Sequence, residues 1–165
     1  MPEIIRPRHN VLIITTTFQV TGQVEPIGPW LEFLNNRDRH TLTILGGRAL
    51  PLGGAAAALP EHPHMYVNRN DICLIILTDQ SARDSVVMLK HAEAAICHVG
   101  PVVCRSEVHM GAEAHLQTFL DDLAGSYFVV TNADLHPAIN MAVALPRRAE
   151  MMFVNREQVR LFYAA

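Results

Sequence analysis

Two Asn-Arg pairs are the residues of this chain best suited to grip another molecule. They sit in matching stretches, Met65-Tyr66-Val67-Asn68-Arg69-Asn70-Asp71-Ile72 and Met152-Phe153-Val154-Asn155-Arg156-Glu157-Gln158-Val159. A guanidinium presents a planar fork of donors that fits a phosphate or carboxylate, and an adjacent carboxamide adds a donor and an acceptor. Tyr66 and Phe153, just ahead of each arginine, add an aromatic face on which a base could stack. Tyr66, Asn68, Arg69, Phe153, Asn155 and Arg156 therefore form the candidate ligand-binding set. The competing role for them is architectural. An asparagine at a tight corner bonds its own backbone, and an arginine stem covers the apolar surface beside it.

Other chemistry is thinner. The chain has nine histidines, and His62-Pro63-His64 has the alternate spacing that turns two rings to one side of an extended strand, as a metal site needs. A third ligand would have to come from Cys97, His98, His109, His115, Asp134 or His136, which nothing in the sequence brings together. There is no Gly-x-Ser-x-Gly elbow, and Leu45-Gly46-Gly47-Arg48 lacks the lysine and hydroxyl of a phosphate loop. Asp121-Asp122 reads as the polar end of a helix. No catalytic residue, bound metal or cofactor is expected, although a metal-dependent or enzymatic role built on the histidines stands as an alternative.

Half of the 165 residues are hydrophobic and 18% are charged. That is ample for a core, with a surplus suited to burial in an oligomer. The formal charge of −3 argues against nucleic-acid binding over the whole surface, because phosphate neutralisation needs a basic protein or a basic patch. A local cluster such as Arg147, Arg148, Arg156 and Arg160 would serve. The three cysteines, Cys73, Cys97 and Cys104, are odd in number and lack Cys-x-x-Cys spacing, which suits reduced core thiols. Met1-Pro2-Glu3-Ile4-Ile5-Arg6 lacks the apolar segment of a signal peptide, and no run reaches the roughly 18 apolar residues of a membrane helix. A cytoplasmic protein with no membrane partner is expected.

The elements that must carry these residues read mainly as strands. Val11 to Val24 is rich in β-branched types, with Phe18, Val20, Gly22 and Val24 on one face, a hairpin turn at Thr15 to Thr17 and a bend at Gly22. Trp30 to Asn36 reads as a short helix after Pro29. His40 to Leu45 is a strand, and Gly53 to Ala58 with Pro60 to Pro63 is a loop. A strand to Val67, a tight corner at Asn68 to Asp71 and a strand from Ile72 to Leu77 follow. The second half echoes this order: Ile96 to Val102 against Phe18 to Val24 with Gly100 in the column of Gly22, Leu116 to Asp122 against Trp30 to Asn36, and Tyr127 to Thr131 against Thr41 to Leu45. An internal repeat is expected, with extra residues around Val103 to His115. Asp84 to Ala95 is read as the first strand of the second unit in preference to an interdomain helix. Thr78 to Arg83 is the boundary.

Each unit, five short strands bending strongly around a glycine, resembles the Sm-like fold. The resemblance rests on Phe18 to Val24 and Ile96 to Val102 for the first motif, and on Val67 to Ile72 and Val154 to Val159 for the second. It implies two tandem five-stranded small barrels with short helical segments, over residues 1–78 and 84–165. Sm-like corners carry arginine then glycine at an RNA pocket; Asn68-Arg69 and Asn155-Arg156 stand there instead, and Asn35 and Asp121 stand nearest that family's other polar contacts. The resemblance further implies a homo-oligomer joined through sheet edges, Ile72 to Leu77 and Gln158 to Tyr163 being the apolar edge candidates. A non-enzymatic binding or assembly module is the expected function, with single-stranded nucleic acid as a possible but not favoured ligand.

Overall fold

The computed structural model describes residues 6–54 and 57–165. The expectations for residues 1–5, including the missing signal peptide, and for residues 55–56 of the Gly53 to Ala58 loop lie outside the described residues. β1 (His9–Thr15) and β2 (Phe18–Val24) form a hairpin whose turn is closed by Thr15, which accepts the Phe18 N–H at 2.8 Å. A short helix α1 (Trp30–Leu34) follows, then β3 (Thr41–Pro51), β4 (His62–Asn68), a 3-10 turn at Arg69–Asp71 and β5 (Ile72–Leu77). Next come α2 (Gln80–Asp84), β6 (His91–Val99), β7 (Val102–Met110), α3 (Phe119–Asp122) and β8 (Tyr127–Pro137). β9 (Arg148–Asn155), a second 3-10 turn at Arg156–Gln158 and β10 (Val159–Ala164) complete the chain.

The strands form one ten-stranded antiparallel sheet in the order β10-β6-β7-β8-β9-β5-β1-β2-β3-β4. The first half is ordered β5-β1-β2-β3-β4 and the second β10-β6-β7-β8-β9, the same pattern read twice. They meet where β5 pairs with β9, with Leu74 opposite Val154, Ile75 opposite Phe153 and Ile76 opposite Met152. The hydrogen-bonded ladder does not close on itself. β4 and β10 are its two ends, each without an outer partner among the described residues.

Two apolar cores lie along the sheet. One gathers Val11, Ile13, Val20, Trp30, Leu34, Leu42 and Ile44, the other Cys97, Val99, Cys104, Phe119, Phe128 and Leu135. β5 feeds both, since Ile75 turns to the first core while Leu74 and Ile76 turn to the second. Phe153 of β9 reaches across the seam into the first core and lies 5.6 Å from the Trp30 ring.

Gly22 is a true bend: the β2–β3 register shifts between Thr21 and Gln23, and an added Cβ would fall 2.8 Å from Leu45 O and against the Ile44 side chain. The expected partner of that bend is not Gly100. Ile96 to Val102 is no bent strand; Gly100, with φ 50°, and Pro101 form the two-residue turn between β6 and β7. The matching shift falls between Arg105 and Glu107, at the buried Ser106. Val102 to Val108 therefore stands where Ile96 to Val102 was expected. Asp84 to Ala95 is also corrected. Asp84 ends α2, and the strand begins only at His91, so the polar boundary segment carries a helix turn seated on buried Ala82. His62-Pro63 belongs to β4, not to the loop before it, and proline is tolerated there because β4 is an edge.

Candidate functional site

The two corners are built alike. Asn68 Oδ1 accepts the Asn70 N–H at 3.0 Å, and Asn155 Oδ1 accepts the Glu157 N–H at 3.1 Å, each capping a single 3-10 turn between strands. Each following arginine then folds back onto the helix of its own half. Arg69 Nη1 donates to Leu34 O (2.6 Å) and Phe33 O (3.0 Å), and its Nε donates to Thr41 O (3.2 Å). Arg156 Nη1 donates to Leu123 O (3.0 Å) and Leu120 O (3.2 Å). The last carbonyls of a helix have no intrahelical donor, so a cation there satisfies them and complements the helix dipole. Arg69 is 7% exposed and its guanidinium lies 5.3 Å from the centroid of the Phe33 ring. Burial lowers its pKa, yet arginine keeps its proton at neutral pH.

The remaining candidates divide sharply. Phe153 and Asn155 are buried in the β5–β9 seam, while Tyr66 and Asn68 are exposed on the edge strand β4. Asn155 Nδ2 crosses the seam to donate to Ile72 O (2.8 Å) and Arg69 O (3.4 Å). Tyr127 Oη donates to the same Arg69 carbonyl at 2.9 Å, and burial raises its pKa. Asn35, at the end of α1, holds the opposite side: its Oδ1 accepts Tyr127 N–H at 2.8 Å and its Nδ2 donates to Tyr127 O at 3.3 Å. The sequence-level set is thus not one site. Phe153 has no face left for a base, and the guanidinium of Arg69 is committed to carbonyls.

Around this seam lies a small pocket of about 180 Å³, lined by Asn35, Arg37, Arg39, His40, Arg69 and Asn155 among others. Its exposed cations, Arg37 and Arg39, went unnoticed in the sequence, although the run Arg37-Asp38-Arg39-His40 directly after a helix end was a visible signal. Comparison with protein-family models, curated proteins and solved structures found no match. Among the described residues, no three His, Cys, Asp or Glu side chains gather as a metal site would require; His62 and His64 lie exposed on β4. The three thiols are buried. Burial pushes Cys73 up to about 12, and the hydrogen bond that the Cys97 thiol donates to the directly opposed Cys104, with burial, pushes Cys97 up. No described helix is long and apolar enough to cross a membrane.

The larger feature is the pair of sheet ends. β4 exposes Tyr66 (67%), and β10 exposes Leu161 (57%) and Tyr163 (47%). Beside β10 runs a groove of about 810 Å³, walled by Leu116 and Leu120 on one side and by Val159, Leu161 and Phe162 on the other. A row of unpaired backbone groups flanked by exposed apolar side chains is a template for another strand.

Proposed function

We propose that this chain is a non-enzymatic assembly module, made of two Sm-like five-stranded units, that joins copies of itself through its sheet edges. The observation that carries the reading is the pair of free end strands, β4 and β10, with exposed Tyr66, Leu161 and Tyr163 on them. The identical strand order of the two halves supports two units of one kind, and the two apolar cores, each centred on one half and sharing side chains with the other across the β5–β9 seam, suit one curled unit each. An exposed apolar edge is a hazard for a monomer and an interface for an oligomer. Light scattering across micromolar concentrations tests this. An integer multiple of the chain mass is expected, and Leu161→Lys with Tyr163→Lys should return the particle to a monomer. A wild-type chain that stays monomeric throughout refutes it.

The seam pocket favours a second reading, an anionic ligand such as single-stranded nucleic acid held by Arg37 and Arg39 beside Asn35 and His40. It predicts salt-sensitive retention of a short single-stranded RNA that is lost in Arg37→Ala/Arg39→Ala. No retention at low salt sinks it.

A further inference from the structure

The second half of the sheet carries a polar cleft that assembly through the end strands leaves unused. Its volume is about 1020 Å³, and it lies over one face of β7, β8 and β9, beneath Arg83 and Asp84 of α2 and Val86 and Met88 of the segment that follows. These three strands are interior in the sheet order, away from the ends β4 and β10. Glu107 and His109 of β7 share the cleft face, two residues apart. Thr131 stands opposite Glu107, and Met151 opposite Thr131.

A bulge gathers the polar groups of this floor. Ser106 alone faces two residues of β8, Asn132 and Ala133, and Asn132 has φ 50°, the one positive value at a non-glycine residue among the described residues. The bulge re-aims the Asn132 carboxamide, whose Nδ2 donates to Glu107 Oε2 at 2.8 Å. The first half makes the same bulge between β2 and β3. There Gly46, with φ 58°, holds the place of Asn132, and Leu45 lies opposite Gln23 where Thr131 lies opposite Glu107. Glycine is the easiest answer to a left-handed backbone, and asparagine answers it while adding a donor and an acceptor. The backbone accepts Gln23, Leu45 and Gly46 in one half, so the bulge itself does not call for Glu107, Thr131 and Asn132 in the other.

The hydrogen bonds of this cluster run out of protons. Leu89 O can only accept, and His109 Nδ1 lies 2.9 Å from it, so Nδ1 carries the hydrogen and Nε2 of the neutral ring is bare. Thr131 Oγ1, 2.7 Å from Nε2, gives its single proton there. Thr131 Oγ1 and Glu107 Oε2 then face each other at 3.4 Å as two acceptors. Only a second proton on His109 would let Thr131 donate to Glu107 instead. Positive charge is short as well. Glu150 has Arg83 at 3.1 Å and Asp134 has Arg148 at 3.3 Å, whereas Glu107 and Asp84 have only neutral donors among the described residues.

We propose that this cleft binds a small organic cation, a primary ammonium carried on an apolar body. Its N–H groups bridge Glu107 and Thr131 Oγ1 and reach the Asn132 carboxamide oxygen, supplying both the missing donor and the missing charge. Its body lies along Val86, Met88 and Met151, whose flexible thioethers adapt to varied shapes. The site goes beyond the assembly reading and stands or falls separately from it.

Amide-resolved NMR titration with butylamine, phenethylamine and tryptamine in low-salt buffer tests this. At least one amine is expected to give saturable shifts at the Glu107, Thr131 and Asn132 amides, with a dissociation constant in the millimolar range or tighter. 2-Phenylethanol, which has the shape of phenethylamine without its charge, should bind about 10-fold less tightly or worse, and Glu107→Gln should weaken the amine by a similar factor. Glu107 is exposed, so the substitution spares the fold. Glu32→Gln, an equal loss of charge at an exposed position of α1, should leave binding unchanged. The proposal is overturned by the absence of saturable shifts with all three amines, by equal binding of the alcohol, by full binding in Glu107→Gln, or by an equal loss in Glu32→Gln. Calcium chloride that shifts the same amides while the amines do not would make this a metal site and overturn it too. None of these outcomes alters the particle mass by which the assembly reading is judged.

Discussion

Replacing Arg69 by methionine separates an architectural arginine from a ligand-gripping one. The guanidinium is the donor for three carbonyls, Leu34 O at 2.6 Å, Phe33 O at 3.0 Å and Thr41 O at 3.2 Å, in a site only 7% exposed. Hydrogen bonds to a charged group contribute about 1.5–3 kcal/mol each, and buried acceptors left unsatisfied cost about 1–3 kcal/mol. Methionine keeps the stem over Phe33, and partial rehydration recovers some of the loss, so a net destabilisation of about 3–4 kcal/mol is expected. Arg156 serves two carbonyls with a side chain 28% exposed, where water replaces much of what is lost, so Arg156→Met should cost about 1–1.5 kcal/mol. Urea denaturation followed by the fluorescence of Trp30, the single tryptophan and part of α1, reads both values from the midpoint at constant slope. Arg69→Lys should recover only part, since one ammonium cannot span carbonyls from two elements. Equal and small losses in the two methionine variants, below about 1 kcal/mol each, would refute the capping role and return Arg69 to the pool of ligand contacts.

Two further outcomes follow from the packing. Gly22→Ala should destabilise by about 2–3 kcal/mol, since its Cβ meets Ile44 and the Leu45 carbonyl, while Gly111→Ala, with nothing within 4 Å, should stay within about 0.5 kcal/mol. Burial raises the Cys73 thiol from 9.0 to about 12, so the unfolded chain loses this proton first. Its contribution to stability is whole below about pH 9 and falls by up to about 1.4 kcal/mol per pH unit as pH rises towards 12; alkaline denaturation of Cys73→Ala should be correspondingly shallower, with Tyr127 supplying part of the remaining slope.

The corner was legible because its chemistry is local. An asparagine that caps its own turn and an arginine that follows it are visible as letters, and both fold as such letters predict. The role of Arg69 was not legible, because its acceptors at Phe33, Leu34 and Thr41 come from other elements and leave no mark near the motif. The same limit explains Gly100. Glycine signals either a tight turn or a bend inside a strand, and matching Gly100 to Gly22 took one for the other. The true bend at Ser106 was hidden because serine is small enough for that crowded position without advertising it. Phe153 and Tyr66 looked interchangeable as candidate stacking residues. Only the order of strands reveals that one is interior and the other lies on an end.

That difference also bears on how the ends behave in water. Three residues along the outer edges are amphipathic counterparts of interior ones: Tyr66 for Phe153, Tyr163 for Ile76, Arg160 for Cys73. A strand that is buried as the chain folds can be wholly apolar, as β5 is over its full length. A strand that must wait in solvent before a partner arrives needs side chains with an apolar body and a polar tip, which lose less when exposed and still bury well. On the assembly reading proposed above, the internal seam belongs to folding and the outer edges to association. The first is fixed once the chain is made, whereas the second depends on concentration, so dilution should part copies from one another while leaving β5 on β9.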